Sequence, residues 1–225
     1  MGYFGTESIL MSRLDKAESR IETGGVYRNF GKRVIDVTIC IISLPFVVPI
    51  IGILAIVIAA SGSNPFFTQT RMGQYGRSFK MWKLRTMVLN GDQIIERYLK
   101  VNPGAQEEWR TTQKLKSDPR ITALGSFLRK TSLDELPQIW NVLCADMSLV
   151  GPRPMLVNQK YFYPGTDYYK LRPGISGNWQ VSLRNESTFA DRAAYDRHYN
   201  LALSLKEDMR ILKDTVHVFL RATGY

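Results

Sequence analysis

The strongest pattern along the chain is a long apolar run. Residues 37–60 contain no charged side chain, and the basic pair Lys32 and Arg33 lies shortly before them. A helix rises about 1.5 Å per residue, so this run is long enough to cross the hydrocarbon core of a bilayer. That length disfavours a buried core helix, and the late start without a cleavage site excludes a signal peptide. We therefore predict a membrane-embedded helix over 34–60, preceded by a polar arm over 1–33.

Two prolines near the middle of the run bear on how the helix sits in the membrane. Pro45 and Pro49 each remove an amide donor and clash with the preceding helical turn. Each limb on either side of them reaches only about one leaflet. Positive residues, which favour the cytoplasmic side, occur both before and after the run. These features favour a re-entrant helix–break–helix hairpin, with a simple crossing as the open alternative.

The remaining residues, 61–225, have the pattern of one soluble α+β domain that is mostly helical. Alternating apolar and polar positions predict two short strands, over 64–70 and 78–84, with a glycine-containing turn between them. Helical patterns follow, and the region 151–184 is rich in Gly and Pro and reads as loops. From residue 189 onward the pattern is helical and amphipathic, with one apolar stripe formed by Leu205, Met209, Leu212, Val216 and Phe219.

Charge and composition narrow the classes of partner. Thirty Lys and Arg against 20 Asp and Glu give a formal net charge of +10, which favours anionic partners such as nucleic acid, a membrane surface or a phosphorylated substrate. No helix-turn-helix or zinc-finger spacing is present, so we expect no nucleic-acid partner. Two cysteines exclude a disulfide scaffold, and we expect Cys144 to be buried and inert. Two histidines are too few for a His-rich metal site.

The segment 129–138 (RKTSLDELPQ) has two interpretations. Ser132 with Glu135 three residues later fits a helix capping box, and Asp134 suits the positive end of a helix. Alternatively, two adjacent carboxylates divide the work of nucleophile and ligand of a hard divalent cation, with helix amides and the nearby Arg129 keeping Asp134 ionised. The local sequence leaves both interpretations open.

Basic residues in or beside stiff segments form a second group of candidates. Arg153 lies between two prolines in 151–154 (GPRP), which holds a planar guanidinium ready for phosphate oxygens. Arg184 and Asn185 follow a Trp-Gln pair, and Lys83 and Arg85 end the second predicted strand. A stiff surface loop or solvated strand-end charges remain the structural alternative for each of them.

Four motifs in order resemble one known family. They are 79–87 (FKMWKLRTM), 131–138 (TSLDELPQ), 146–154 (DMSLVGPRP) and 172–181 (RPGISGNWQV). Together they resemble the bacterial sugar transferases, the monotopic phosphoglycosyl transferases, and most closely the ExoY-type enzymes of exopolysaccharide synthesis. The chain departs from the family pattern in having Leu44 before Pro45 and Leu183 before Arg184, where the family often has Ser and Gly.

This resemblance implies a re-entrant helix–break–helix anchor in the bacterial inner membrane, with a compact catalytic domain and amphipathic interfacial helices on the cytoplasmic face. It implies transfer of a sugar-1-phosphate, of galactose or glucose, from a UDP-sugar to undecaprenyl phosphate with release of UMP. The expected partners are therefore UDP-sugar, undecaprenyl phosphate and inner-membrane lipid, and a homodimer is compatible with the family.

The resemblance also assigns roles to residues. Asp134 is the expected nucleophile, Glu135 helps to hold Mg²⁺ with Asp134 as its second ligand, and both are counted as catalytic. Arg153 belongs to the phosphate-binding site. The expected substrate-binding set is Arg153, Arg184, Arg129, Lys83, Arg85, Gln180, Asn185 and Asp196.

Two other functions remain as alternatives at this stage. An ordinary membrane-associated glycosyltransferase would transfer the sugar without its phosphate and release UDP. A basic membrane-anchored scaffold would bind anionic lipid or protein and release no nucleotide from any UDP-sugar.

Overall fold

The computed structural model describes residues 25–112, 115, 117–182 and 189–220. Within them the chain is mostly helical, with two small sheets, so the predicted α+β class is confirmed at that level. The helices are α1 (Lys32–Ala60), α2 (Gly91–Val101), α3 (Pro103–Thr112), α4 (Ala123–Lys130), α5 (Gln138–Leu143), α6 (Asn178–Val181), α7 (Arg192–Ala202) and α8 (Leu205–Leu220). The strands are β1 (Phe66–Met72), β2 (Ser78–Leu84), β3 (Ser148–Val150) and β4 (Gly174–Ser176).

The apolar run forms the single helix α1, which follows a π-helical turn at Tyr27–Gly31. The last residues of the predicted polar arm are therefore helical. Both Pro45 and Pro49 lie inside the helix, so the predicted break is not a loss of helical structure. Among the described residues, this is the one helix long and apolar enough to cross a membrane. Its middle exposes large apolar side chains, including Ile42, Phe46, Val48, Ile53 and Ile56.

Strands β1 and β2 form the predicted two-stranded sheet. The turn between them is closed by a hydrogen bond from the Gly73 amide to the Arg77 carbonyl at 2.7 Å. Gly76 has a φ of +74°, a left-handed conformation that is favourable for glycine because it has no Cβ. The sequence prediction was correct here because turn chemistry and strand alternation are both local signals.

Strand β4 lies within the region 151–184 that was expected to form loops, and it pairs in parallel with β3, which ends just before that region. Ser148 pairs with Gly174, and Val150 pairs with Ser176. A Cβ atom on Gly151 would come within 2.2 Å of the Arg172 carbonyl oxygen, and one on Gly174 would come within 2.1 Å of the Gly151 amide nitrogen. These glycines therefore permit a close approach of two distant backbones, which a local pattern does not reveal.

The described chain divides into two compact units. Unit 1 contains residues 25–44, 69–81 and 138–220, and unit 2 contains residues 45–68 and 82–137. Unit 1 includes the start of α1, whose polar side chains are bound inside it. Lys32 forms an ion pair with Asp208 at 2.7 Å. Asp36 accepts hydrogen bonds from the Ser148 hydroxyl and the Leu149 amide.

In unit 2, the second half of α1 packs on its own small core. Ile58, Leu84 and Leu128 are buried together there, and Ile51 and Leu54 pack against them. The apolar residues of α1 thus contact protein near the C-terminal end of the helix as well as near its start, where Cys40 belongs to the core of unit 1.

One sequence prediction about side-chain burial is wrong. Cys144 is exposed, whereas Cys40 is the buried cysteine.

Helix α8 buries Asp208 and Ile211, while Leu205, Met209 and Val216 of the predicted apolar stripe are exposed. The polar residue Asp208 is buried because it accepts hydrogen bonds from Tyr27 and Tyr199 in addition to Lys32. Leu212 of the stripe packs against the core that contains Ile211, so the stripe lies partly on the core and partly on the surface.

Candidate active site

The acidic pair lies in unit 2, on a single 3₁₀ turn, Leu133–Glu135, between α4 and α5. Ser132 precedes it with φ 52° and ψ 20°, a left-handed conformation, and its side chain makes no capping hydrogen bond. An N-cap residue normally has an extended backbone, so the predicted capping box is wrong. A non-glycine residue in this conformation costs on the order of 1 kcal/mol, and such strain is concentrated at functional sites.

One lysine contacts both carboxylates of the pair. The Lys83 ammonium on β2 lies 2.7 Å from Glu135 Oε1 and 3.5 Å from Asp134 Oδ2. Asp134 is only 6% exposed, whereas the Glu135 side chain is partly open. Lys83 was predicted as a substrate-binding residue, and its contact with both carboxylates was not predicted from the sequence. The buried Asp134 and its more accessible neighbour therefore differ in environment although they are adjacent in sequence.

The balance of burial and charge raises the pKa of Asp134 above its ordinary value. Burial is the largest cause, and the nearby negative charge of Glu135 acts in the same direction, while Lys83 and Arg129 oppose both. The expected ionised form of Asp134 therefore depends on these two cations, which act against burial and Glu135. The turn is too short to supply a helix N-terminus, so the two cations are what offsets the burial.

The other two predicted basic residues of unit 2 lie in different places. Arg129 donates from Nε to the Thr86 hydroxyl at 2.9 Å and is near enough to Asp134 to influence its pKa. Arg85 donates from Nε to the Asn64 carbonyl at 2.7 Å and stacks on Phe67. The structure therefore brings Lys83 and Arg129 to the acidic pair, but gives Arg85 contacts with the β1 segment instead.

Arg153, Gln180 and Asp196 lie in unit 1. Arg153 stacks on Trp179, with its Cζ 5.7 Å from the ring centroid, and Arg192 stacks on the same ring at 4.1 Å. Gln180, next to Trp179, is buried. The predicted Arg184 and Asn185 lie outside the described residues.

Asp196, predicted as a substrate-binding residue, is buried in the same unit rather than exposed at the surface. It accepts a hydrogen bond from the Tyr163 hydroxyl at 2.8 Å. Burial raises its pKa to about 7, although Tyr163 and the charge of Arg192 act in the opposite direction. The group is therefore poised to change protonation near neutral pH.

Because the folded-state pKa of Asp196 lies above that of an unfolded aspartate, the folded state binds its proton more tightly. Its contribution to stability is present at low pH and is lost as the pH rises through about 7. We expect Asp196→Asn, which keeps an acceptor for Tyr163, to remove this dependence. Between about pH 6 and about pH 8 the parent should lose roughly 1 kcal/mol more than the variant. Denaturant titrations at both pH values measure this difference, and equal slopes for parent and variant would contradict the shifted pKa.

The acidic pair fits a magnesium ion in part. Mg²⁺ is commonly held by one or two carboxylates together with waters and substrate phosphates, and Asp134 and Glu135 supply hard oxygen donors of that kind. Within the described residues, no group of three or more His, Cys, Asp or Glu side chains could form an all-protein metal site. A metal here would therefore share its coordination with a phosphorylated substrate, with Lys83 giving up its contact with Glu135.

Four residues that contact the predicted site residues were missed. Thr86 follows the candidate Arg85 in the first of the four motifs, and Trp179 precedes the candidate Gln180 in the last. Both are therefore adjacent in sequence to predicted site residues, but neither was assigned a role. Tyr163 and Arg192 contact the site residues of unit 1 from outside the four motifs. No local sequence signal identifies either of them, because their positions depend on the packing of distant segments.

Comparison with known proteins agrees with the motifs. A family model described as bacterial sugar transferase matches residues 27–222. The chain is 42% identical over 208 residues to the exopolysaccharide production protein ExoY of Sinorhizobium fredii, covering 90% of this chain and 92% of that protein.

Longer relatives with named activities are also similar. The undecaprenyl-phosphate galactose phosphotransferase of Salmonella typhimurium is 41% identical over 197 residues, which cover 87% of this chain and 41% of that protein. The UDP-glucose:undecaprenyl-phosphate glucose-1-phosphate transferase of Escherichia coli is 34% identical over 197 residues, which cover 82% and 39% respectively. The chain thus spans about two fifths of the length of these two proteins.

Proposed function

The chain belongs to the bacterial sugar transferase family, and we propose that it transfers a sugar-1-phosphate from a UDP-sugar to undecaprenyl phosphate, with release of UMP. The observation that carries this proposal is the buried Asp134 carboxylate, held between the positive charges of Lys83 and Arg129 on a strained turn. A buried carboxylate flanked by two cations fits the role of a nucleophile that attacks phosphorus better than it fits a purely structural role. The named activities of the longer relatives support galactose or glucose as the transferred hexose.

The reaction follows in two displacements at phosphorus. In the first, an Asp134 carboxylate oxygen bonds to the phosphorus that carries the sugar, and the phosphoanhydride bond to UMP breaks, so that UMP leaves with the bridging oxygen. In the second, an oxygen of undecaprenyl phosphate bonds to the same phosphorus and the acyl–phosphate bond breaks. The carboxylate of Asp134 is regenerated, and the product is a lipid diphosphate sugar.

The neighbouring side chains explain why this path is favourable. Lys83 and Arg129 offset the burial of Asp134 and so maintain a larger ionised fraction for the attack. The same cations offset the negative charge that accumulates as two phosphates approach. Mg²⁺ held by Glu135, with Asp134 as a second ligand, would supply further charge stabilisation at the phosphoryl oxygens.

We also propose that α1 is re-entrant and that the catalytic chain lies on the cytoplasmic face of the inner membrane. The start of α1 is bound to unit 1 through Lys32 and Asp36, and its later residues pack in unit 2. The chain after α1 contributes to both units, and its described part has no second helix that could cross a membrane. Because residues 69–81 and 138–220 follow α1 in the chain and belong to the same unit as its start, a single crossing would separate parts of unit 1, which supports entry and exit by one face.

A labelling experiment tests this topology. In a Cys144→Ser background, which removes the exposed native thiol, single cysteines replace the exposed Val26 and the exposed Arg77 on either side of α1. We expect both positions to resist a membrane-impermeant maleimide in intact cells and to react after permeabilisation. Labelling of one position alone in intact cells would establish a crossing helix and contradict re-entrance.

The released nucleotide tests the proposed reaction itself. Purified protein is incubated with undecaprenyl phosphate and either UDP-galactose or UDP-glucose, and nucleotides are separated by chromatography. We expect UMP with one of these donors, and we expect chelation by EDTA to stop its release. UDP in place of UMP would indicate an ordinary glycosyltransferase, and no nucleotide from any UDP-sugar would favour a scaffold.

A further inference from the structure

Two arginines share one tryptophan in unit 1. The Arg192 guanidinium lies over the Trp179 ring at 4.1 Å from its centroid, and the Arg153 guanidinium lies at 5.7 Å from the same centroid. Arg192 also lies 4.8 Å from the centroid of Phe189. The indole is 8% exposed, so it forms a nearly buried platform that fixes two planar cations close together.

The charge of this cluster is not balanced by the described protein. Neither Arg153 nor Arg192 forms an ion pair with a carboxylate among the described residues, and the Arg192 Nε is buried without a hydrogen-bond partner. Asp196 is close enough to Arg192 to influence it, but that carboxyl already accepts from Tyr163. A buried donor without an acceptor is unfavourable unless a ligand or water completes it.

The electrostatic consequence appears at Arg192. Its pKa is lowered to about 10, first by burial and next by the positive charge of Arg153, with a further contribution from Arg71. Arg71 itself donates to the Gln69 side chain at 2.6 Å. The guanidinium groups of Arg153 and Arg71 therefore both lie close enough to repel that of Arg192, and an anion at Arg153 and Arg192 would relieve this repulsion.

A second arginine–tryptophan pair, in unit 2, has a different environment and serves as an internal comparison. Arg120 stacks on Trp109 at 5.2 Å, but Asp118 neutralises it through a hydrogen-bonded ion pair at 2.7 Å. That pair is complete without a ligand. Arg192 and Arg153 also stack on a tryptophan, but neither has a carboxylate partner among the described residues. Stacking on tryptophan therefore does not by itself explain why the charge of these two arginines is left unneutralised.

We propose that Arg192 and Arg153, stacked on Trp179, together bind one phosphate ester group, which makes Arg192 a binding residue that none of the four sequence motifs contains. Two planar guanidiniums supply several fixed N–H donors that match the oxygens of a phosphate. The proposal rests on the proposed function, which brings two phosphorylated substrates to the enzyme. The group is a phosphate either of the nucleotide sugar or of the lipid acceptor.

Equilibrium binding separates these two sources. Full-length protein carrying Asp134→Asn, so that donor is not consumed, is titrated with UDP-glucose and UDP-galactose. In a second arm it is floated with phosphatidylcholine vesicles that contain or lack undecaprenyl phosphate. Arg192→Met, Arg192→Lys and Arg153→Lys are each introduced, and Arg120→Met is the matched control with the other stacked arginine.

We expect Arg192→Met to weaken binding about ten- to a hundredfold in one arm, the scale expected for loss of one charge-assisted hydrogen bond. Arg192→Lys should retain the charge and still lose much of the affinity, because an ammonium does not reproduce the planar fork. The arm that responds identifies the source of the phosphate. In the double variant Arg153→Lys/Arg192→Lys, the losses should not add, since both residues act on one group.

A change in both arms no larger than that of Arg120→Met would overturn the proposal, even if Arg192 variants melt at a lower temperature. That result would leave Arg192 with a packing role only. Arg192→Lys guards against misfolding, because it preserves the charge and most of the side-chain length. Release of UMP by the parent protein is measured separately, so failure of phosphate binding at this cluster and failure of the transferase reaction are distinguishable.

Discussion

Replacement of Asp134 by Asn is expected to abolish turnover, lowering the rate of UMP release by at least about 10⁴-fold. The amide has nearly the same shape, so it preserves the packing of this buried site, but its oxygen is a poor nucleophile and it carries no negative charge. Chromatographic measurement of UMP with both substrates present gives the rate. Asp92→Asn, at an exposed position of α2, is the matched control and should leave the rate unchanged.

The proposed covalent intermediate on Asp134 can also be detected directly, which gives a second test of the role of this residue. Incubation of the parent with UDP-sugar alone should add the mass of a hexose phosphate to the peptide that contains Asp134. The Asp134→Asn variant, checked by mass spectrometry for the absence of deamidation, should show no adduct although Glu135 is still present in that peptide. Full activity of this variant would remove Asp134 from the chemistry, and an adduct on Glu135 would exchange the roles of the two carboxylates.

Local patterns were sufficient for several features of the fold. The apolar run predicted α1, and strand alternation with turn glycines predicted β1 and β2. The pairing of β3 with β4 was missed because each strand has three residues and their partner is far away in sequence. The glycines that permit this pairing, Gly151 and Gly174, were interpreted as loop residues. In the structure they lie where the two backbones approach each other closely.

The candidate site was predicted by residue type more accurately than by environment. Arg129 was predicted near the acidic pair and is close enough to influence Asp134, whereas Lys83, predicted only as a substrate-binding residue, contacts both carboxylates. Arg85, two residues from Lys83 on the same segment, contacts backbone carbonyls elsewhere. The capping-box pattern of Ser132 and Glu135 was misleading because the Ser132 backbone is left-handed, which a sequence pattern of residue types does not encode.

The roles of charge near Asp134 were also more complex than the sequence indicated. Burial alone makes an aspartate harder to ionise, yet burial excludes water from a reactive acyl phosphate and strengthens nearby electrostatic interactions. The site therefore needs compensating cations, and Lys83 is the one that contacts both carboxylates. Its removal should affect the protonation of Asp134 as well as the binding of phosphate.

We accordingly expect Lys83→Met to lower UMP release by roughly 10²–10³-fold at neutral pH, the scale expected for loss of one group that stabilises charge developing at the reacting phosphate. Lys83 lowers the pKa of Asp134, so its loss should raise that pKa further and move the acid limb of the kcat/KM profile to higher pH. Part of the lost activity should therefore return as the pH is raised. Lys80→Met, at an exposed position of the same strand, is the matched control and should change neither the rate nor the profile.

Lys83→Arg separates charge from geometry in the same experiment. An arginine keeps the positive charge beside Asp134, so the acid limb should stay near its parental position, while its bulkier planar group should still reduce the rate. Melting temperatures of all three variants identify any loss that comes from unfolding. An acid limb that does not move in Lys83→Met, in protein with parental stability, would mean that Arg129 alone offsets the burial of Asp134 and that Lys83 acts only on Glu135.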